Sequence, residues 1–371
     1  MGAATRTPPG GRAGDEQVRD EVVQVARGIA TAVAPAGGLT EVQAALLQAI
    51  ASALTGVDVD YHGLEPLGPE ELAAALEGRD EGYRRRIVHH MVLGEFVLRP
   101  IPADVALRVA AYARALGIDD KFVRVARRYA QGATGLAWMD LRRSGFTQHL
   151  EQAELSDQLH TATGMSDPFE PPVVDPALEA CWVGFSELPE GSLGRAVWEM
   201  YDGRGFALPG SATGPSAYLA QHDFVHVVAD YGTNLKGELE VFAFIGRADP
   251  DPKGFAWLAT LIGLFETGYI RDTGFFRRDV RERNIQAPGM HLRLADAIRR
   301  GKAVSERYGT DLFCVDYHAL AALPVEEVRE ALCVPPKSDG ALASGSPGLF
   351  ELEGMSEIQR AFAERRRQAA R

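Results

Sequence analysis

The sequence predicts an all-α protein, made of a helical N-terminal bundle followed by a second helical domain. Apolar side chains recur every three to four residues, as in Val22, Val25, Ala26 and Ile29, which is the spacing of one helix face. Glycines separate these segments at short intervals, and a stretch with four prolines near the middle of the chain predicts a boundary between two domains.

The N-terminal half is predicted to be a bundle of short helices. Residues 1–15 are rich in glycine, proline and charge, and we expect them to be disordered. Residues 16–159 form the predicted bundle domain, in which a helix through Leu54 follows Thr40 as its N-cap. Further helices are predicted at about 69–76, 83–98, 103–116, 119–131 and 136–143. This many short helices in about 130 residues indicates a compact bundle.

Two segments of this half resemble a known helical domain. The run from Leu39 to Leu47, LTEVQAALL, and the later Leu116-Gly117-Ile118 resemble the helical domain of tellurite-resistance protein B. The resemblance implies a helical fold. Some domains of that family are linked to metals or to membrane stress, but the N-terminal half contains no cluster of ligand residues.

The composition of residues 160–371 predicts a linker, a second domain and a C-terminal tail. Residues 160–176 are predicted to be a linker, residues 177–337 the second domain, and residues 338–371 a Gly/Ser-rich spacer and a tail helix at about 355–370. Within the second domain, helices are expected at about 254–270, 291–307 and 325–332. The run FAWLATLIGLF at 255–265 is too short to span a bilayer. It is either a buried helix or a surface that faces a lipid or quinone.

Composition excludes several classes of protein. The chain has 371 residues and a net charge of −12, and no basic cluster follows its aromatic residues, so nucleic acid is not an expected partner. Three scattered cysteines give no disulfide framework and fit a reducing cytoplasm. The N-terminal residues lack the apolar run of a secretory signal. We therefore expect a cytoplasmic protein, with contact at the inner face of the membrane as a further expectation.

Three side chains capable of binding a metal lie on one predicted helix. At 100° per residue, His222, His226 and Asp223 fall at about 0°, 40° and 100°. The neighbouring residues are apolar almost all round, which predicts a buried helix. Burying two imidazoles and a carboxylate costs several kcal/mol unless a partner compensates them. A divalent cation is the most direct partner, and a buried polar network without metal is the alternative.

A second predicted helix supplies a fourth candidate ligand. Gly232-Thr233-Asn234 should end the first helix and cap the next. Glu238 lies at the centre of an apolar arc on that helix, where a glutamate needs a partner, whereas Glu240 points away and is predicted to be solvated. A tight turn between the helices would bring Glu238 to the histidines. The resulting set of two histidines and two carboxylates suits Zn²⁺ and is acceptable to Fe²⁺ or Mn²⁺.

The metal segment and its flanks resemble one family. The run from His222 to Phe244 contains HDxxH, eleven residues and Gly-Glu, and the segments 188–195, 297–303 and 323–332 agree with it. Together they resemble the coenzyme Q biosynthesis protein 4 family over about residues 177–337. The resemblance implies an all-helical fold in which His222, Asp223, His226 and Glu238 hold zinc or a similar cation. It also implies a role in ubiquinone biosynthesis, in which members organise the pathway enzymes and remove the ring C1 carboxylate oxidatively.

Three further residues are candidates near this site. Asp230 stands where the family usually has a small residue, and its helical position places it on the ligand stripe, so it could be a general base, a ligand or an orienting acceptor. A solvated helix end is the alternative. Tyr218 lies one turn before His222 and either faces the substrate or packs. Arg204 lies in a predicted Gly/Pro loop, 203–217, where it could meet an anionic substrate.

Three functions are compatible with these residues. The first is a metal-dependent enzyme, a possible decarboxylase of a quinone-type or aromatic carboxylic acid, or an organiser of the enzymes that do this. The second is a zinc hydrolase of the HD type, although His149 and His160 do not supply its upstream histidine convincingly. The third is a non-catalytic lipid-binding scaffold, since four protein ligands fill a tetrahedral site. The expected partners are an aromatic or prenylated quinone-type ligand, biosynthetic enzymes, the membrane surface and further copies of the chain.

Overall fold

The computed structural model describes residues 11–132, 174–250 and 284–369, together with Leu159, Gly254, Leu258 and Ile262. Within these residues every regular element is a helix, and the one β-contact is an isolated bridge between Ser192 and Pro324. The all-α prediction is therefore confirmed. None of the described helices combines the length and the apolar character needed to cross a membrane.

The N-terminal helices follow the predicted segments closely. They are α1 (Gly11–Val33), α2 (Glu41–Thr55), α3 (Pro69–Ala75), α4 (Glu81–Phe96), α5 (Ala103–Ala115) and α6 (Lys121–Ala130). α1 begins five residues before the predicted bundle domain. The Thr40 hydroxyl accepts from the backbone N–H of Gln43, so Thr40 is the N-cap of α2 as predicted. The helix predicted at 136–143 lies outside the described residues.

A buried glutamine joins three helices of this bundle. The Gln43 amide donates to the backbone carbonyls of Val33 and Gly94 at 2.9 and 2.8 Å, while its oxygen accepts from the backbone N–H of Thr40. These bonds satisfy the carbonyls at the end of α1 and in the last turn of α4. Gln43 therefore fixes how α1, α2 and α4 meet.

The described part of the second half contains helices of 4 to 18 residues. They are α7 (Pro176–Gly184), α8 (Leu193–Arg204), α9 (Gln221–Ala229), α10 (Leu235–Ala248), α11 (Met290–Arg307), α12 (Tyr317–Leu320), α13 (Val325–Ala331), α14 (Asp339–Ala343) and α15 (Glu357–Ala369). The short helices α7, α12 and α14 were not predicted. The predicted helix at 254–270 lies largely outside the described residues.

α11 connects the two halves. It packs along α10 on one side and against α2 of the N-terminal bundle on the other. Gly301 allows the first contact, because a Cβ there would lie 2.3 Å from the carbonyl oxygen of Phe244. The buried apolar residues of both halves consequently belong to one continuous core. The predicted linker lies almost entirely outside the described residues, and the domain boundaries stay a prediction.

The tail helix packs on its own chain. α15 lies against α8, with Phe362 beside Gly205 and the Arg366 guanidinium paired with Asp202. Its acidic and arginine side chains on the opposite side are exposed. The tail is thus peripheral in position, and its Gln359 also contacts Thr233 in the turn between α9 and α10.

Candidate metal centre

Two helices and a tight turn create the site. α9 ends where Asp230 adopts the left-handed conformation, with φ 59°, and the N–H of Tyr231 donates back to the carbonyl of His226. Asn234 is the N-cap of α10, and its side chain accepts from the N–H of Gly237. The predicted turn and cap are therefore present, and they return α10 against α9.

Three of the four predicted ligands converge. His222, His226 and Glu238 each offer a ligand atom, and these atoms lie within 4.8 Å of one another. The distance from Glu238 to His226 Nε2 is 3.4 Å, and its other oxygen lies 3.8 Å from His222 Nε2. The His226 side chain is fully buried, while those of His222 and Glu238 are 12% and 9% exposed. The cluster is thus enclosed. Of these three side chains, only those of His222 and Glu238 are in part exposed to solvent.

Backbone carbonyls fix the protonation of both rings. His222 Nδ1 contacts the carbonyl of Leu219, and His226 Nδ1 lies 3.2 Å from the carbonyl of Tyr231. Because a carbonyl only accepts, each Nδ1 carries the proton. In the neutral form of each ring, Nε2 then presents a lone pair toward Glu238. Histidines that bind metals are oriented in the same way by a carbonyl or carboxylate on the second ring nitrogen.

Asp223 lies beside the cluster rather than within it. One carboxylate oxygen is 3.6 Å from His222 Nε2, and the other accepts from the Tyr201 hydroxyl at 2.6 Å. Burial raises the pKa of the Asp223 carboxyl, and the neighbouring imidazoles and the Tyr201 hydrogen bond oppose this rise. Asp223 can therefore hold a proton or orient His222, and a small movement would bring it to a shared cation.

The electrostatic field of the cluster favours a cation. Burial disfavours the charged form of the His226 imidazole, but the Glu238 carboxylate beside it outweighs this effect and raises the pKa of His226. His226 Nε2 is buried and makes no hydrogen bond to any described residue. A buried nitrogen lone pair facing a carboxylate is a suitable place for a divalent ion.

Phe242 and Gly237 position the ligands from α10. Phe242, one turn after Glu238, stacks on the His222 ring with 5.3 Å between ring centroids. A Cβ at Gly237 would lie 1.9 Å from the carbonyl oxygen of Gly232, so only glycine lets the first turn of α10 approach the preceding turn this closely. The Gly-Glu pair of the sequence thus has a steric reason.

The C-terminal segment holds the turn between the ligand helices. The carbonyl of Gly354 accepts the N–H groups of Thr233 and Asn234 at 2.7 and 3.0 Å. The Gln359 side chain accepts from the Thr233 hydroxyl and donates to the Thr233 carbonyl. The turn is therefore bonded on one side to residues more than a hundred positions later. Sequence periodicity gave no signal for this contact.

Arg204 belongs to this support rather than to a substrate site. It is the last residue of α8, is buried, and donates to the Thr233 hydroxyl at 2.7 Å and to the carbonyl of Leu349. Burial lowers the pKa of its guanidinium to about 10. The prediction that Arg204 lies in a loop and meets an anionic substrate is wrong, because Arg204 belongs to α8 and its guanidinium donates to Thr233 and Leu349.

The other two candidates lie in different surroundings. Asp230 has left the helix, so its predicted place on the ligand stripe is not retained. Its carboxylate accepts from the N–H of Leu349 at 2.8 Å and lies 3.7 Å from the Lys337 ammonium. Tyr218 is buried, and its ring packs on Phe313 at 4.9 Å between centroids. The catalytic roles of Asp230 and Tyr218 stay predictions.

Glu240 contradicts the sequence analysis. It is fully buried instead of solvated, and its carboxylate receives two bonds from the Arg293 guanidinium of α11. Its burial follows from α11, which covers the side of α10 that the sequence pattern indicated as exposed.

Comparisons with known proteins add little to this geometry. No family model matches the chain, and no curated protein matches it. Among solved structures, the crystal structure of a "putative ubiquinone biosynthesis protein" from Nostoc punctiforme PCC 73102 is a weak neighbour, at 19% sequence identity and a TM-score of 0.29. The match covers 68% of this chain and 97% of that one. The resemblance of the N-terminal half to tellurite-resistance protein B stays a prediction.

Proposed function

We propose that this chain is a divalent-metal enzyme that acts on an aromatic carboxylic acid or a quinone-type compound. His222, His226 and Glu238 hold the cation, with Asp223 beside it, and zinc suits this donor set best. The proposed reaction releases a ring carboxylate as carbon dioxide and leaves a hydroxyl group on that carbon, with dioxygen as the two-electron oxidant that becomes hydrogen peroxide, because Zn²⁺ itself has no redox chemistry. One observation carries the metal assignment: two Nε2 atoms with fixed tautomers face one buried carboxylate.

The number of converging ligands favours catalysis over a scaffold. Structural zinc sites use four protein ligands, whereas catalytic sites use three and keep one position open. Here three ligand atoms converge, while one oxygen of Asp223 accepts from Tyr201. A set of two histidines and one glutamate is a known catalytic arrangement. This supports a site that would leave one ligand position of the cation to substrate or water, and the most exposed of the three ligand side chains is that of His222.

The chemistry divides between the ion and the chain. When bound, the cation supplies a Lewis acid that polarises a carboxylate or phenolate oxygen. The carbonyls of Leu219 and Tyr231 keep the imidazoles in the tautomer that binds it. Asp223 is placed to accept or return a proton, since one of its oxygens lies 3.6 Å from His222 Nε2 and the other accepts from the Tyr201 hydroxyl. Phe242 and the apolar helix faces exclude water from this region.

The substrate class rests on the sequence. The HDxxH-x₁₁-E pattern resembles the coenzyme Q biosynthesis protein 4 family, whose members act on ring carboxylates of ubiquinone precursors. Asp230, which replaces a usually small residue of that family, favours a related aromatic acid over the same substrate. Biosynthetic enzymes and the membrane surface are the proposed partners on the same basis.

Metal analysis tests the site. We expect the purified protein to contain close to one divalent metal per chain, and His226→Ala and Glu238→Ala to lose it. Because the ligands join α9 to α10, metal loss should also lower the melting temperature. His62→Ala and Glu327→Ala change exposed residues of the same types and should retain the metal. Unchanged metal content in His226→Ala and Glu238→Ala would exclude the site.

A product assay tests the reaction. The metal-loaded protein is incubated in air with 4-hydroxybenzoate and with a prenylated derivative, each labelled with ¹³C in the carboxyl group. We expect release of labelled carbon dioxide by the wild type and none by His226→Ala. A protein that binds metal and releases no label from either acid, but hydrolyses phosphate esters, would support the hydrolase of the HD type instead. Metal binding with neither activity would support the scaffold.

A further inference from the structure

A second site lies away from the metal ligands, between the N-terminal bundle and α10 and α11. It is a cavity of about 210 Å³. Most of its wall is apolar and comes from α1, α2 and α4, including Val25, Leu47 and Leu54. The lining also includes Arg86 of α4, Arg247 of α10 and Lys302 of α11.

The charge of this cavity is opposite to that of the chain. The protein has a net charge of −12, yet the described lining residues include two arginines, one lysine and no carboxylate. Lys302 is paired with Glu306 at 2.6 Å, outside the lining. Arg86 and Arg247 have no ion pair with a described residue, and the buried Nε of Arg247 makes no hydrogen bond among them. Two neighbouring, half-buried guanidinium groups beside an apolar wall form a favourable place for an anion.

The repulsion between these groups supports the same conclusion. Burial lowers the pKa of Arg247, and Arg86 lowers it further. His90, which also lines the cavity, has its pKa lowered to about 3 by burial and by His89, Arg86 and Arg247. His90 is therefore neutral at ordinary pH and adds no positive charge. Glu306 is the carboxylate that acts on Arg247 in the opposite direction.

We infer that this cavity binds a small amphipathic carboxylate, with its apolar body among α1, α2 and α4 and its head group between Arg86 and Arg247. The volume sets the size of the body, since a cavity of about 150 Å³ holds benzene. About 210 Å³ therefore suits one aromatic ring with a short side chain, or an alkyl chain of similar volume. Arginine matches the head group, because its planar guanidinium binds a carboxylate through two parallel hydrogen bonds.

This site is independent of the proposed metal site. Arg247 follows Glu238 by nine residues on α10, a distance of roughly 13 Å along a helix, and no metal ligand lines the cavity. The lining residues come from both halves of the chain. A bound carboxylate therefore joins α4 to α10 and α11, and should stabilise the contact between the halves.

Binding of 3-phenylpropionate, measured by titration calorimetry on the full chain, tests this inference. 3-Phenylpropan-1-ol, which has the same ring and no charge, is the matched probe. We expect the acid to bind at least about tenfold more tightly than the alcohol. Arg86→Gln and Arg247→Gln should each weaken the acid about tenfold and leave the alcohol unchanged. Arg114→Gln, at an exposed arginine of α5, should change neither.

A second variant tests the apolar part. Ala51→Leu extends a side chain into the cavity and should weaken both probes, while metal content stays at the wild-type value. If this variant does not fold, the two arginine variants decide alone. The inference is overturned if the wild type binds neither 3-phenylpropionate nor octanoate at millimolar concentration. It is equally overturned if Arg86→Gln and Arg247→Gln bind 3-phenylpropionate as the wild type does.

Discussion

Glu240 and Arg293 form a bidentate ion pair between α10 and α11, with N–O distances of 3.1 and 2.5 Å. Glu238, two residues earlier on α10, has no such cation among the described residues and faces two imidazoles instead. One helix thus carries two buried glutamates in different surroundings. The charge of Glu240 is compensated by the Arg293 guanidinium, whereas no guanidinium or ammonium group of the described residues pairs with Glu238.

Replacing Arg293 alone should lower the free energy of unfolding much more than replacing both Arg293 and Glu240. Arg293→Met leaves Glu240 charged and buried, and should lower the free energy of unfolding by about 3–5 kcal/mol. Adding Glu240→Leu should recover most of this loss. Urea unfolding of the single and double variants measures both effects. Arg299→Met, at a half-exposed arginine of the same helix, should cost about 1 kcal/mol or less. Equal loss in the single and double variants would contradict the prediction.

Glu95 should make the protein less stable as the pH rises. Its side chain is fully buried, neither carboxylate oxygen accepts a hydrogen bond from a described residue, and burial raises its pKa well above 4.5. The unfolded chain releases this proton near pH 4.5, whereas the folded chain keeps it. The stabilising contribution is therefore complete below about pH 4.5 and is lost as the pH rises through the folded pKa, by at most about 1.4 kcal/mol per pH unit.

Glu95→Gln tests this dependence. The amide cannot ionise, so the variant should gain stability relative to the wild type between pH 5 and pH 8. Urea unfolding at several pH values measures the difference. Glu77→Gln, at an exposed glutamate, should follow the wild type throughout. A parallel pH profile for Glu95→Gln and the wild type would show that Glu95 is ionised in the folded protein.

Asp230 is expected to tune the reaction and not to hold the metal. Its carboxylate contacts Leu349 and Lys337, and glycine and asparagine both tolerate its positive φ. Asp230→Asn and Asp230→Gly should therefore keep the metal while changing activity or ligand choice. Metal analysis and the product assay measure the two effects, with Asp119→Asn as an exposed control. Loss of metal would make Asp230 a ligand, and wild-type behaviour in both assays would make it a solvated helix end.

Limited proteolysis should cut first within residues 160–176. Because α11 packs against α2, we expect the two pieces to remain together after the cut and to elute as one species in gel filtration. The piece from about residue 177 should retain the metal. A first cut elsewhere would contradict the predicted linker, and a C-terminal piece that is insoluble or free of metal would show that the second domain does not fold without the N-terminal bundle.

The sequence predicted what local periodicity determines. The convergence of His222, His226 and Glu238 followed from helical spacing and a capped turn, and the structure brings them together. Glu240 was predicted to be solvated but is buried. Its partner, Arg293, lies 53 residues away in the sequence and covers the side of the helix opposite Glu238. Arg204 was predicted to lie in a loop but is the last residue of its helix, which extends beyond the predicted start of the loop. The groups that accept its hydrogen bonds come from later segments of the chain. Contacts between distant segments leave no periodic signal.

The bonds from Gly354 and Gln359 to the α9–α10 turn affect when the site can form during synthesis. Gln359 leaves the ribosome about 120 residues after Glu238, which at 5–20 residues per second is a delay of roughly 6–24 s. During this interval α9 and α10 can already pair, but the N–H groups of Thr233 and Asn234 are still bonded to water. A nascent chain therefore carries both histidines and the glutamate well before their turn is fixed, and the ligand cluster is among the last parts of the protein to reach its final geometry.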